Sequence, residues 1–184
     1  MQIGRLLVRL IIGGLFIGHG TQKLFGWFGG PGPAGTAQMM DGLKLHPPRR
    51  NALAAGASET AGGVLLAAGL ATPLAAASLI GVMLTAIRTV HLKNGPWAAN
   101  GGYEYNLVLI AALLGLVDGG PGELSLDRAL GIHDTGPGWA FGALATGAAA
   151  SALTVELGRR TARKAVGEGP TSVPNTAGDP VTAD

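Results

Sequence analysis

The stretch TAGGVLLAAGLATPLAAASLIGVMLTAI, residues 60–87, contains no charged side chain and decides the fold class. A membrane-crossing helix needs about 20 apolar residues, because each residue rises about 1.5 Å across a hydrocarbon core of about 30 Å. Within the stretch, GLATP (69–73) offers a glycine to end one helix and a proline to open the next. We therefore predict two spans, 51–70 and 73–92. The alternative is one helix kinked at the proline, which would extend well beyond a bilayer.

The composition supports a membrane protein. Hydrophobic residues make up 47% of the 184 residues and charged residues only 13%, against roughly 25% charged in soluble proteins. There is no cysteine, which excludes disulfides, iron–sulfur clusters and thiolate metal sites, and we predict no metal site. The net charge of +2 is small and the basic residues lie at span ends, so we predict no nucleic-acid partner. The fold class predicted is all-α, a polytopic transmembrane helical bundle in the lipid bilayer.

Four spans form the predicted core. The first covers 5–28 and the fourth 103–117, so that a four-helix bundle occupies 1–134. Residues 135–157 are rich in alanine and glycine, and we predict a fifth transmembrane helix there. From residue 158 the chain becomes polar and contains prolines, which predicts a disordered tail over 158–184.

The segment between the first two spans is too often interrupted by glycine and proline to cross the membrane. We predict an interfacial loop over 29–50. Its middle, 36–45, can form a short helix that ends before Pro47 and Pro48. The apolar residues of this helix are expected among the lipid headgroups: Met39, Met40, Leu43 and Leu45.

Lysine and arginine are distributed unequally between the two ends of the predicted spans. With five spans, Arg5, Arg9 and Arg128 lie on the N-terminal side, which leaves 10 of the 13 basic residues on the other side. The positive-inside rule then places that second side, with the tail, in the cytoplasm of a multi-pass plasma-membrane protein. Without the fifth span the tail changes side and the counts become 7 and 6. The predicted orientation therefore depends on the fifth span.

Ionisable residues collect at one end of the predicted bundle. Connected spans alternate in direction, so the first span ends, the second begins, the third ends and the fourth begins on the same side. These places carry six candidate site residues: His19, Lys23, Glu59, Arg88, His91 and Glu104. Such groups at one depth predict a polar pocket that binds a ligand or a proton.

Glu59 is the strongest candidate, because an acidic side chain deep in a span costs about 2.5–3.5 kcal/mol. We predict that Glu59 either pairs with Lys23 or Arg88 or is protonated, and that His19 and Lys23 face it across the bundle. Three structural alternatives stay open. Lys23 can reach the interface with its long side chain, His19 can hydrogen-bond a neighbouring helix, and the ion pair can serve only to lock the helices.

Three segments together resemble the DoxX family of small bacterial membrane proteins. They are RLLVRLIIGGLFIGHGTQKLFG, SETAGGVLLAAGLATPLAA and GGYEYNLVLIAALLGLVDGGPGELSLDRAL, and the resemblance covers about 5–130. It implies a four-helix bundle in the plasma membrane. Ser125 would cap a short helix after the glycine turn. The positions that match the family pattern are Lys23, Glu59, Gly63, Glu104, Gly120, Gly122, Ser125 and Asp127.

The resemblance also directs the functional hypothesis, since the family is named after a thiosulfate:quinone oxidoreductase and includes a membrane partner of superoxide-detoxifying proteins. We predict an integral membrane subunit or scaffold of a redox or oxidative-stress system, with a quinone-headgroup or proton-binding pocket. Its partners would be soluble or membrane oxidoreductase subunits, with a homo-oligomer as a further option. The alternative is a small proton-coupled transporter or permease that uses Glu59. Whether the chain is itself an enzyme stays open.

Overall fold

The computed structural model describes residues 3–167, which form a helical bundle without any β-strand. The α-helices along this part of the chain are α1 (Ile3–Phe25), α2 (Gly32–Gly42), α3 (Pro48–Ala68), α4 (Thr72–Ala86), α5 (Glu104–Gly119), α6 (Leu126–Ala129) and α7 (Pro137–Gly167). α4 continues directly as a π-helix over Ile87–His91 and a 3-10 turn over Leu92–Asn94. The predicted all-α bundle is confirmed.

The long uncharged stretch forms two helices, not one kinked helix. α3 ends at Gly69, whose φ of 63° lies in the left-handed region, and Ala71 also has a positive φ of 46°. Pro73 lies in the first turn of α4. Backbone N–H groups in the first turn of a helix have no partner within the helix, so the N–H that proline lacks is not missed there. The chain therefore reverses direction between Gly69 and Thr72, as the GLATP segment predicts.

Three helices within residues 3–167 are long and apolar enough to cross a membrane: Ile3–Phe25, Thr72–Asn94 and Pro137–Ala165. α5 has only 16 residues, and α3 is less apolar because it carries two arginines and a glutamate. Large apolar side chains cover the outside of the bundle; Leu74 is 64% exposed and Phe141 is 73% exposed. In water such a surface would associate, so these helices lie in a membrane and contact lipid.

α1 and α3 pack through glycines. A Cβ atom on Gly13 would lie 2.7 Å from the carbonyl oxygen of Gly63, and one on Gly20 would lie 2.7 Å from the carbonyl oxygen of Gly56. Side chains are therefore excluded at both crossing points, and the two backbones approach as closely as in small-residue contacts of other membrane helices. This contact fixes the depth of every residue on α3 relative to α1.

The segment predicted as the fifth span forms α7, which packs against α4 and α5. Its small residues permit the contact: a Cβ atom on Gly147 would lie 2.9 Å from the carbonyl oxygen of Ala77 on α4. Thr85 and Ser151 also join the two helices through their hydroxyl oxygens, which are 3.1 Å apart. α7 is thus a helix of the same bundle.

α7 extends beyond the predicted end of the fifth span at 157. It continues to Gly167, so that 158–167, which we expected to be disordered, is helical. The carboxylate of Glu156 accepts a hydrogen bond from Arg160 one turn later at 2.8 Å, and such pairs stabilise a helix. The rest of the predicted tail, 168–184, lies outside the described residues.

The segment between α1 and α3 packs more deeply than expected. The helix α2 covers Gly32–Gly42, a few residues before the predicted 36–45. Met40 and Leu45 are buried, at 7% and 1% exposure, in a small apolar cluster with Ala52 and Val155. Placing these two side chains among the lipid headgroups was wrong, because α3 and α7 offer them an apolar groove that the sequence pattern of one segment does not reveal.

Candidate functional site

The centre of the site is an ion pair between α1 and α3. Lys23 lies in the last turn of α1, and its Nζ is 2.6 Å from Glu59 Oε2. The Glu59 side chain is 4% exposed and that of Lys23 is 19% exposed. The glycine contact of Gly20 with Gly56, one turn before each partner, brings the two helices close enough for this pair. Of the two predicted cations, Lys23 is the one beside Glu59.

The ammonium group of Lys23 has one further partner. Besides Glu59, it donates to the backbone carbonyl oxygen of His19 at 3.3 Å. An ammonium group has three N–H donors, so one has no partner among residues 3–167. Because part of the side chain is accessible, this donor can bind an oxygen atom of a ligand.

The ion pair lies on the wall of a cavity of about 550 Å³ between α1, α2, α3, α4 and α7. Ligand-binding cavities commonly measure 300–1,000 Å³. Most of this wall is apolar, with Met40, Val82 and Met83 among its residues, and the charges of Lys23 and Glu59 lie at one place in it. The cavity therefore suits a molecule with a largely apolar body and a small polar head.

His91 is the third predicted site residue on this cavity wall. It is the last residue of the π-helix that follows α4, and its Nδ1 is 2.7 Å from the carbonyl oxygen of Gly101. A neutral imidazole that donates from Nδ1 keeps Nε2 as an acceptor. Because His91 lies on the cavity wall, this acceptor offers a second polar group to a ligand. Residues in π-helical turns often belong to functional sites.

The other three predicted residues lie elsewhere. The His19 side chain is exposed, and its backbone carbonyl oxygen accepts a hydrogen bond from Lys23. Arg88 is exposed and lines a smaller depression that adjoins the cavity at Thr89 and Val90. Glu104 is exposed and accepts a hydrogen bond from the Ala98 backbone N–H at 2.9 Å, so that it holds the loop before α5.

Several polar residues of the cavity wall were not predicted as site residues. They are Gln22, Asn51, Ser58, Ser78, Thr85, Thr89, Ser151 and Thr154. Gln22 lies between the predicted residues His19 and Lys23 at the end of α1. Ser151 and Thr154 lie on α7, where an alanine-rich segment gives no sign that one face borders a cavity.

A second polar cluster lies where α1 begins, at the opposite end of the bundle. Arg9 is 1% exposed, and its guanidinium donates to the carbonyl oxygens of Pro121 and Leu124 at 2.7 and 2.6 Å. The sequence places Arg9 among the orientation charges and, at 100° per residue, on the charged face of the first helix, which we predict to face the bundle. In the structure it holds the loop after α5 against α1.

Asp127 completes this second cluster. Its carboxylate accepts hydrogen bonds from the backbone N–H groups of Ala71 and Thr72 and from the Thr72 hydroxyl, at 2.7, 3.0 and 2.7 Å. Ser125 accepts from the Arg128 backbone N–H, so the predicted helix cap is confirmed. The GPGELSLD segment therefore fastens the α3–α4 turn and α1 together, and its geometry serves structure.

Comparisons with known proteins agree with this architecture. The family model described as DoxX matches residues 4–92. A protein of Bacillus subtilis (strain 168) named "Putative oxidoreductase CatD" is 36% identical over 126 residues, which are 68% of this chain and 86% of that protein. No solved structure matches. On the family match and this relative, the chain belongs to the DoxX family.

Proposed function

We propose that this protein is an integral subunit or scaffold of a redox or oxidative-stress system, and that its cavity binds the headgroup of a quinone. The helices would cross the plasma membrane several times, with α7 as a fifth crossing beside the four-helix unit. The observation that carries the proposal is the Lys23–Glu59 pair on the wall of a mostly apolar cavity of about 550 Å³.

The residues of the cavity fit a quinone. The N–H of Lys23 that has no partner within the described chain can donate to a quinone carbonyl oxygen, and Glu59 can accept from the hydroxyl of the reduced form. Met40, Val82 and Met83 supply apolar contact to the ring. A bound quinone supplies two-electron, two-proton redox chemistry.

A partner protein is part of the proposal because electrons must reach the cavity. The 184 residues contain no cysteine to hold an iron–sulfur cluster. Residues 30–35, GPGPAG, have the spacing G-x-G-x-x-G, but they follow a helix and not a β-strand, so they do not form a dinucleotide-binding fingerprint. An oxidoreductase subunit would therefore deliver or accept the electrons, while Lys23 and Glu59 position the headgroup. The Bacillus subtilis relative is named as an oxidoreductase, which supports a redox setting.

The test is purification in a mild detergent, followed by quinone extraction and identification of co-purifying proteins. We expect retained quinone in the natural protein, a strong loss in Glu59→Leu and Lys23→Leu, and no loss in Arg88→Gln. Arg88 is a matched control because it lies at the same end of the bundle but outside the cavity. Absence of both quinone and an oxidoreductase partner from the natural protein would contradict the proposal.

A proton-coupled transporter is the second candidate, and the burial of Glu59 favours it. A carboxylate that is 4% exposed on a cavity wall in a membrane protein can carry a proton. Transport predicts solute-driven proton flux in liposomes that contain the purified protein alone, with loss of flux in Glu59→Gln. The subunit proposal predicts no flux from the protein alone.

A further inference from the structure

A surface formed by two segments that are distant from each other in the sequence carries seven of the 13 basic residues of the protein. It combines the turn before α3 and the first turn of α3 with the last turns of α7, and we call it the basic surface. Its seven lysine and arginine residues are all exposed: Lys44, Arg49, Arg50, Arg159, Arg160, Arg163 and Lys164.

A backbone contact brings the two segments of the basic surface together. The N–H of His46 donates to the carbonyl oxygen of Gly158 at 3.3 Å. Gly158 is buried there, and a Cβ atom on it would lie 3.0 Å from the Cα of Leu45. Residues 44–50 and 158–164 therefore lie side by side at one end of the bundle, although more than 100 residues separate them.

Within residues 3–167, two neighbouring acids, Asp41 and Glu156, balance only part of the positive charge of this surface. Asp41 lies 3.0 Å from His46, and Glu156 pairs with Arg160 at 2.8 Å. Within residues 3–167, the other six cations have no carboxylate within ion-pair distance. Five of the seven are arginines, whose planar group binds phosphate through two parallel hydrogen bonds.

The part of α7 next to the basic surface indicates which phosphate-containing molecule the surface can bind. Leu153 and Leu157 are 60% and 57% exposed, and at spacings of three or four residues they share one face of α7 with Arg160 and Lys164. Along this face an apolar section is followed by a cationic one, and the cationic section forms the C-terminal end of the candidate span Pro137–Ala165. A molecule that matches this order has acyl chains followed by an anionic phosphate.

We propose that the basic surface binds the headgroups of anionic phospholipids, with phosphatidylglycerol as the probe lipid. The acyl chains would lie along Leu153 and Leu157, and the phosphate would contact arginines from both segments. Clusters of four to eight basic residues directly beside a membrane helix have this specificity in other proteins. The site is separate from the cavity and does not depend on what the cavity binds.

The test measures which lipids stay bound to the full chain. The protein is purified in detergent, equilibrated with equal amounts of phosphatidylglycerol and phosphatidylcholine, and analysed by native mass spectrometry. We expect selective retention of phosphatidylglycerol. Retention should fall about fivefold for each cation removed, hence about 25-fold in Arg159→Gln/Arg163→Gln and in Arg49→Gln/Arg50→Gln.

Two controls make the result specific. Arg128→Gln removes an exposed arginine at the opposite end of the bundle and should leave retention unchanged. Arg159→Lys/Arg163→Lys keeps the charge and should retain most of the lipid even if the glutamine variants fold poorly. Equal retention of the two lipids by the natural protein would overturn the proposal. Displacement of the lipid by inorganic phosphate at equal concentration would also overturn it, since the site would then bind free anions.

Discussion

Replacing Lys23 with leucine would leave the carboxylate of Glu59 buried without its cation. The two atoms of the pair are 2.6 Å apart, so at an effective dielectric constant of about 20 their attraction is about 6 kcal/mol. Removing each ion from water costs several kcal/mol, which offsets most of that attraction. The single substitution removes the attraction but leaves the cost of burying Glu59.

The expected loss in the free energy of unfolding is therefore about 3 kcal/mol for Lys23→Leu, the lower end of the range for broken buried pairs. We choose the lower end because the Lys23 side chain is 19% exposed. Glu59→Leu should cost a similar amount, whereas Glu59→Gln should cost less because its amide oxygen still accepts from Lys23. The double variant Lys23→Leu/Glu59→Leu should lie within about 1 kcal/mol of the natural protein, since apolar replacements of both ions are often tolerated.

The assay is unfolding of the purified protein in detergent micelles by titration with sodium dodecyl sulfate, followed by circular dichroism. Arg88→Leu, an exposed residue at the same end of the bundle, serves as the control and should change stability little. If the double variant loses the sum of the two single losses, the pair is not energetically coupled and the reasoning fails. If the double variant is stable but retains no quinone, the pair acts in ligand binding and not only as a lock.

Three further predictions concern packing and topology. Gly13→Ala should destabilise the bundle by about 1–3 kcal/mol, because its Cβ atom would clash with the α3 backbone. In Gly14→Ala the new Cβ atom meets no other atom within 4 Å, so this control should be neutral or stabilising. Thermal unfolding of the two variants in detergent measures the difference. Asp127→Ala should lower the free energy of unfolding by about 2–4 kcal/mol because three hydrogen bonds are lost, and Asp127→Asn should lower it clearly less. An equal loss in both variants would contradict the role of these hydrogen bonds in holding the α3–α4 turn. Reporters of cytoplasmic location fused after Lys44, after Gly95 and at the C-terminus should all report one compartment, and a C-terminal reporter on the other side would exclude α7 as a crossing.

The Lys23–Glu59 pair is the part of the site that the sequence predicts well. A carboxylate inside an apolar span demands a cation, and the alternating directions of connected helices place Lys23 at nearly the same depth. Arg88, the other predicted cation, is exposed. It lies in the π-helix that follows Ala86, and no residue pattern in that segment predicts a π-helix.

Contacts between distant segments were the least predictable. Ser151 reaches the cavity because small residues let α7 pack tightly on α4, and a hydropathy scale measures the affinity of a helix for lipid, not for another helix. The inward direction of Arg9 follows from its place on the charged face of the first helix, but its partners, the carbonyl groups of Pro121 and Leu124, do not follow from that pattern. One sequence contains no information on which distant carbonyl groups a buried arginine binds.

The contacts of Arg9 have a consequence for how the protein is made. Arg9 enters the bilayer with the first helix, but Leu124, the later of its two carbonyl partners, lies 115 residues further along the chain. At a synthesis rate of about 5–20 residues per second, Leu124 leaves the ribosome about 6–23 s after Arg9. During that interval the first helix carries an unpaired charge in or near the bilayer. We therefore expect stable insertion of the first helix to be completed only after the segment that follows α5 has been synthesised.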